Sequence, residues 1–227
     1  MRDIVLVHSS DLHLRPNGAG DDLQPLGRVL ATAQGLGADV LLLAGDVFDA
    51  NRLPSQLIEA AAALFAASST PVVILPGNHD CLTVGSVYYQ PALAAVAGLH
   101  VLGQTGESMV FAHLDLEVWG LPHADYRDMR PLAQRRTRRT RWQVAMAHGH
   151  WVTRPEDSMR SWLITDEEIA SSGADYVALG HWEVPGPAGR GPVPAYYSGS
   201  PQRAGTVNAV HLSPLRGVEV RLAPLLP

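Results

Sequence analysis

Val72-Val73-Ile74-Leu75-Pro76-Gly77-Asn78-His79-Asp80 joins an apolar, β-branched run to a Pro-Gly break, an amide, an imidazole and a carboxylate. A short apolar run bounded by turn residues reads as a buried strand that delivers polar groups to a loop. The same grammar recurs along the chain. Ile4-Val5-Leu6-Val7 runs into Ser10-Asp11-Leu12-His13, and Val40-Leu41-Leu42-Leu43 into Gly45-Asp46-Val47-Phe48-Asp49. Later, Val144-Ala145-Met146-Ala147 runs into His148-Gly149-His150, and Tyr176-Val177-Ala178-Leu179 into Gly180-His181. One such tip is commonplace; five strand ends carrying Asp, Asn and His point to a metal site.

The segments between the strands set the architecture. A Gly/Asn/Asp-rich loop from Pro16 to Asp22 precedes a predicted helix over Leu23–Leu36, with Gly35 and Gly37 as its stop signal. Strand two, Val40 to Ala44, leads into a helix opened by Pro54-Ser55, whose alanine-rich body, Ile58 to Ala67, is among the better helix formers. Strand-helix-strand-helix-strand with short connections implies parallel pairing with right-handed crossovers, and ligands collect beyond the carboxyl ends of such strands. Downstream, a short helix is predicted over Pro91–Ala97, and runs such as Val110-Phe111 and Leu116–Trp119 predict a second, more antiparallel sheet. Thr165-Asp166-Glu167-Glu168 is a capping box that opens a helix ending by Gly173. Pro194–Tyr197, Val207–Leu212 and Val218–Leu222 read as strands, and Pro185 to Pro194 as a surface loop.

Composition narrows the function classes. A chain of 227 residues suits one substantial core, so a single domain over 1–227 is expected. No apolar run approaches the length of a membrane span, and no charged-then-apolar leader opens the sequence, so no membrane association is expected. The single cysteine, Cys81, cannot form an internal disulfide, and a cytoplasmic location follows as the default. The net charge of -5 provides no global basic field for nucleic acid. All 17 basic residues are arginine, however, and seven of them lie between Arg127 and Arg141. At helical spacing such a run is usually one solvated face; the competing reading is a phosphate-backbone contact.

Asp11 and His13 are two apart, and in extended backbone residues i and i+2 point the same way, so both can meet one cation. With the tips at Asp46/Asp49, Asn78/His79/Asp80, His148 and His181, the chain resembles the calcineurin-like metallophosphoesterases, whose ordered motif is D-x-H, G-D-x-x-D, G-N-H-[DE], a later His, and G-H-x-H. The resemblance spans roughly Ile4 to His181. Within the family, His8-Ser-Ser-Asp-Leu-His-Leu14, Leu43-Ala-Gly-Asp-Val-Phe-Asp49 and Tyr197-Ser-Gly-Ser-Pro201 look most like the SbcD-type DNA-repair nucleases. Those carry further sequence for capping and partner binding, and with this chain ending at Pro227 neither double-stranded DNA processing nor an ATPase partner is expected.

The resemblance implies an α/β fold, a sandwich of two mixed β-sheets flanked by helices. It also implies two divalent ions, with Mn²⁺ favoured and Fe²⁺ or Zn²⁺ as alternatives for mixed Asp, Asn and His ligation. Asp46 would bridge them; Asp11 and His13 would belong to one ion, and Asn78, His148 and His181 to the other. His79 would be the general acid for the leaving oxygen, with Asp80 orienting it. The final motif departs from the family: Gly180-His181-Trp182-Glu183 has Glu183 where a second histidine is usual. Glu183 is expected to take that place as a ligand, its alternative being a surface glutamate. Asp49, His8 and His150 are expected to support ligands or the fold, while Arg52, Arg203 and His150 are the candidates to meet a substrate phosphate.

The function expected is metal-dependent phosphoester hydrolysis, a phosphodiesterase acting on a nucleotide, a nucleic-acid end or a small diester. The alternatives are a phosphomonoesterase and a non-catalytic interaction module that keeps the fold.

Overall fold

The structure is a computed structural model that describes residues 2–16, 22–104, 106–154, 156 and 158–227. Most of the predicted Pro16–Asp22 loop lies outside the described residues. The remaining elements form two six-stranded sheets packed face to face, with helices against the outer faces.

The first sheet is built as expected on β1 (Ile4–Ser9), β2 (Val40–Ala44) and β3 (Val72–Leu75), all mutually parallel, with β4 (Leu99–Val101) parallel at the edge. Helices α1 (Gln24–Gly35) and α2 (Ser55–Ala67) make the crossovers, and the short α3 (Pro91–Ala94) precedes β4. Alternation along the strands divides their side chains between two interiors. Val7, Leu41, Leu43, Val72 and Ile74 pack on Leu26, Val29, Leu57, Ile58 and Phe65 of the helices. Leu6, Leu42, Ala44, Val73 and Leu75 point the other way, into the space between the sheets. That double burial is why these strands read as continuous apolar runs. Gly37, at φ 64°, reverses the chain after α1 so that the Ala38 amide can bond the Ala33 carbonyl.

The second sheet comprises β5 (Ser108–Phe111), β6 (Leu116–Gly120), β7 (Trp142–His148), β10 (Tyr176–Gly180), β11 (Gly186–Ala188) and β12 (Ala195–Tyr197). Here the expectation of a more antiparallel sheet is corrected. The central strands β6, β7, β10 and β12 are parallel, and only the edge strands β5 and β11 run antiparallel. The reason is connectivity: the β5–β6 hairpin is local, but β7, β10 and β12 return through long connections. Val118, Val144, Met146 and Ala178 face the first sheet, while Trp119, Ala145, Val177 and Leu179 pack on Ile169 of α4 (Asp166–Ser171) and on Leu132. The predicted capping box is present, with the Glu168 amide donating to Thr165 Oγ1 and the Thr165 amide to Glu168 Oε2.

The C-terminal hairpin, β13 (Thr206–Ser213) and β14 (Gly217–Pro224), adds to the free side of β1 rather than to the second sheet. Two short parallel strands, β8 (His150–Val152) and β9 (Leu163–Thr165), stand apart from both sheets. Pro185–Pro194, read as a loop, contains β11.

The arginine cluster is not helical. Residues 127–141 are irregular, and four of the seven arginines pair locally: Arg130 with Glu168, Arg136 with Glu107, Arg138 with Asp175 and Arg139 with the buried Glu117. No helix of the described residues is long and apolar enough to cross a membrane.

Candidate metal centre

The carboxyl ends of β1, β2, β3, β7 and β10 converge, because the two sheets present them at the same end of the sandwich. The convergence depends on backbone that sequence periodicity does not reveal. Asp11 (φ 55°), His13 (φ 45°), Asp46 (φ 51°) and His181 (φ 93°) all lie in the left-handed region, at a cost of roughly 1–3 kcal/mol each. The extended Asp-x-His geometry expected for Asp11 and His13 is therefore corrected. They meet one site because the first two tips are laced together, with the Asp11 amide on the Gly45 carbonyl, His13 on Asp46 and Leu14 on Val47.

Two overlapping sets of ligand atoms result: Asp11, His13 and Asp46, and Asp46, His148 and His181, each within 4.8 Å of one another. Asp46 belongs to both. Its Oδ2 is 3.2 Å from His148 Nε2 and 3.9 Å from His13 Nε2, while its Oδ1 accepts the His79 amide at 2.9 Å. Asn78 completes the second set: its Oδ1 is 3.1 Å from His148 Nε2 and 3.0 Å from His181 Nδ1. A third set, His13, Asp49 and His79, lies toward solvent.

The donor set fits divalent cations. His148 Nδ1 lies 2.9 Å from the Ala44 carbonyl, which places its proton there and leaves the Nε2 lone pair facing Asn78 Oδ1 and His181 Nδ1. Lone pairs directed at one another need a positive charge between them. Burial pushes the His148 imidazole down, but Asp46 and Asp11 outweigh it and raise the group to about 9, so the carboxylates around it favour positive charge at this point. Burial likewise opposes ionisation of Asp46, yet His148 and the His79 amide hold it below the ordinary carboxylate range. Asp11 moves up, through burial and Asp46, despite His148. Its two oxygens accept the His181 amide at 3.1 Å, and Oδ2 also accepts Ser10 Oγ, which is 2.9 Å from Ser198 Oγ. Gly180 is required by proximity: a Cβ there would overlap the Ala44 carbonyl and crowd His148 Nδ1.

The sequence matches the calcineurin-like phosphoesterase family over residues 4–185. This chain belongs to that family. Among curated proteins none matches it. Among solved structures, one aligns over 99% of this phosphoesterase and 100% of its own chain, with a TM-score of 0.67 at 12% identity. TT1561 of Thermus thermophilus covers 97% of this chain and 99% of its own, with a TM-score of 0.64 at 13% identity. A Staphylococcus aureus protein described as a candidate 5′-nucleotidase, solved with α-ketoglutarate, has a TM-score of 0.64 at 15% identity; it covers all of this chain, which spans 55% of it. At these identities the likeness establishes the fold. Family members hold two divalent ions, in keeping with the paired ligand sets of this phosphoesterase.

Other residues fall less neatly. Asp80 does not orient His79: it is fully buried, accepts the Gly77 and Phe48 amides and the Tyr88 hydroxyl, and so ties the third tip to the second. Burial and Asp46 raise its carboxyl to about 6, against these hydrogen bonds. The group behind His79 is Asp49, whose carbonyl is 3.0 Å and whose Oδ1 is 3.6 Å from His79 Nδ1. Asp49 Oδ1 also lies 3.1 Å from His13 Nδ1, and its Oδ2 accepts Arg15. Glu183 stands outside the three ligand sets and pairs with Arg203 Nη1 at 3.0 Å. Both line a cavity of about 620 Å³ in front of the centre, together with His13, Arg15, Asp49 and His79. Arg52 is exposed and is not among the residues lining that cavity. His150 Nε2 lies 2.9 Å from His181 Nε2, and His8 is buried beneath the site with Nδ1 on the Tyr176 hydroxyl.

Sequence reasoning missed His123, whose Nε2 bonds the His148 carbonyl at 2.8 Å, and Tyr88 on Asp80. Neither sits in a strand-tip pattern. Ser198 was within reach, because Tyr197-Ser-Gly-Ser-Pro201 was already a motif.

Proposed function

We propose that the chain, as one domain over 1–227, is a phosphodiesterase that works with two divalent ions, Mn²⁺ favoured, on a small nucleotide-like diester. The observation that carries the reading is Asp46, whose one carboxylate oxygen faces both ligand sets. Asp11, His13 and Asp46 would hold one ion and Asp46, Asn78, His148 and His181 the other; when bound, such a pair activates water and offsets charge at phosphorus.

The protein's own part is positioning and proton transfer. His79 lines the cavity, and Asp49 holds its Nδ1 side, so among the described residues Nε2 has no hydrogen-bond partner. From there it can deliver a proton to the departing oxygen. Glu183 keeps its expected ligand role only by exchanging Arg203 for the ion. Within the cavity Arg15 and Arg203 are each already paired to a carboxylate, which disfavours a dianionic monoester relative to a singly charged diester. Pairing of four of the seven arginines in the 127–141 cluster supports a small substrate over a polynucleotide, and so weighs against the SbcD-type reading.

The test is hydrolysis of bis-p-nitrophenyl phosphate against p-nitrophenyl phosphate in Mn²⁺, with metal content measured in parallel. Faster cleavage of the diester supports the proposal. Preference for the monoester favours phosphatase activity, the reading to which the candidate 5′-nucleotidase neighbour lends weight. Full metal occupancy with neither activity means a non-catalytic module.

A further inference from the structure

A second cavity, of about 300 Å³, opens beside the metal ligands on the side away from His79 and Asp49. Aromatic, aliphatic and proline residues form most of its walls. The Tyr197 hydroxyl is occupied, donating to the Gly149 carbonyl at 2.8 Å and accepting the Trp151 amide at 2.7 Å, and the Trp151 indole N–H is bound by Asp166. Pro185 and Pro187 close one side. Trp182 lines the same cavity with 44% of its surface exposed, and it belongs to none of the hydrophobic core clusters.

Polarity enters through two groups. The Arg160 guanidinium lies 5.4 Å over the Trp182 ring, and its Nη1 is 3.2 Å from His150 Nδ1. His150 Nε2 is 2.9 Å from His181 Nε2, so a residue lining the cavity touches a candidate metal ligand directly. Among the described residues no carboxylate lines the cavity.

We propose that this cavity takes the flat aromatic part of the substrate, a nucleobase-like ring stacked on Trp182, while the phosphate ester lies over the metal ligands; this rests on the phosphoesterase reading above. An indole face with a guanidinium beside it suits a π-system, and base–aromatic stacking tolerates any base. The volume lies at the small end of the range for organic ligands. A sugar would find few hydrogen-bonding partners, because the Tyr197 hydroxyl and the Trp151 indole N–H are already taken. Trp182 thereby acquires a role as a specificity residue within the departed G-H-x-H motif.

The test is binding, in metal-free protein, of adenosine and of ribose 5-phosphate, followed by tryptophan fluorescence and calorimetry. Adenosine is expected to bind and quench emission, and ribose 5-phosphate to bind far more weakly. Trp182→Leu should weaken adenosine about tenfold and Trp182→Phe should restore most of it. Equal adenosine affinity in wild type and Trp182→Leu overturns the proposal, as does ribose 5-phosphate binding as tightly as adenosine. Because neither ligand is turned over and no metal is present, this result is independent of the ester-cleavage assay, and the two readings fail separately.

Discussion

The two sheets furnish the candidate metal centre by different means. The first contributes both carboxylates, Asp11 and Asp46, from loops beyond the strand ends, in left-handed backbone held by hydrogen bonds between neighbouring tips. The second contributes His148 while still within β7, its ring fixed by the Ala44 carbonyl of the opposite sheet, and His181 one residue beyond β10. Both carboxylates thus sit on strained loops with His13 beside them, whereas His148 sits on regular strand and His181, at φ 93°, just past a strand end. The difference teaches that the carboxylate half depends on loop geometry, whereas the imidazole half depends on the two sheets staying in register.

The largest effect should come from the residue shared by both halves. Asp46→Asn should lower turnover by at least about 10³-fold, beyond the 10- to 100-fold typical of residues that merely support ligands, with loss of both ions in metal analysis. Retention of either ion at full affinity would break the comparison. His79→Ala should lose about 10²- to 10⁴-fold in kcat while keeping its metal, since His79 lies outside both ligand sets that share Asp46. An equal loss of metal would remove the acid role.

How legible this was follows from the same contrast. The strand runs through Val40–Ala44 and Val72–Leu75 could be read to the residue, because burial on both faces leaves an uninterrupted apolar signature that turns punctuate. The Asp and His side chains that converge were legible as residue types at strand ends, whereas Glu183, expected beside them, lies outside the three clusters. Their geometry was not: nothing in Asp11-Leu12-His13 announces positive φ, and an extended reading was the natural one. Asp80 was misassigned because adjacency in sequence suggested contact with His79, whereas the loop turns its carboxylate inward to Gly77, Phe48 and Tyr88. The Arg203 partner of Glu183, and the irregular pairing of the 127–141 arginines, join residues with no sequence pattern between them.

A smaller effect tests the register on which the imidazole half depends. Gly180→Ala should destabilise the fold by roughly 1–3 kcal/mol in urea titration, because its Cβ meets the Ala44 carbonyl and the sheets must separate locally. Loosened metal binding with intact Asp11 and Asp46 should accompany it. His8, beneath the site, gives a pH signature. Burial lowers its imidazole to about 3, so the fold favours the neutral ring. Its contribution to stability is complete above pH 6.5 and is lost as pH falls from there toward about 3. His8→Leu should flatten the acid side of the stability profile measured by thermal melts; an unchanged slope would assign the acid sensitivity elsewhere. Smallest of all, Arg138→Ala removes an exposed pair with Asp175 and should cost at most about 1 kcal/mol, with no change in the salt dependence of activity.

The central claim is that one carboxylate joins two metal sets, one from each half. Calorimetric titration of Mn²⁺ into metal-free wild type, His148→Ala and Asp46→Asn tests it most directly. The account predicts two ions per chain in wild type, one in His148→Ala and no tight ion in Asp46→Asn. A single ion in wild type, or two undiminished ions in either variant, would contradict it.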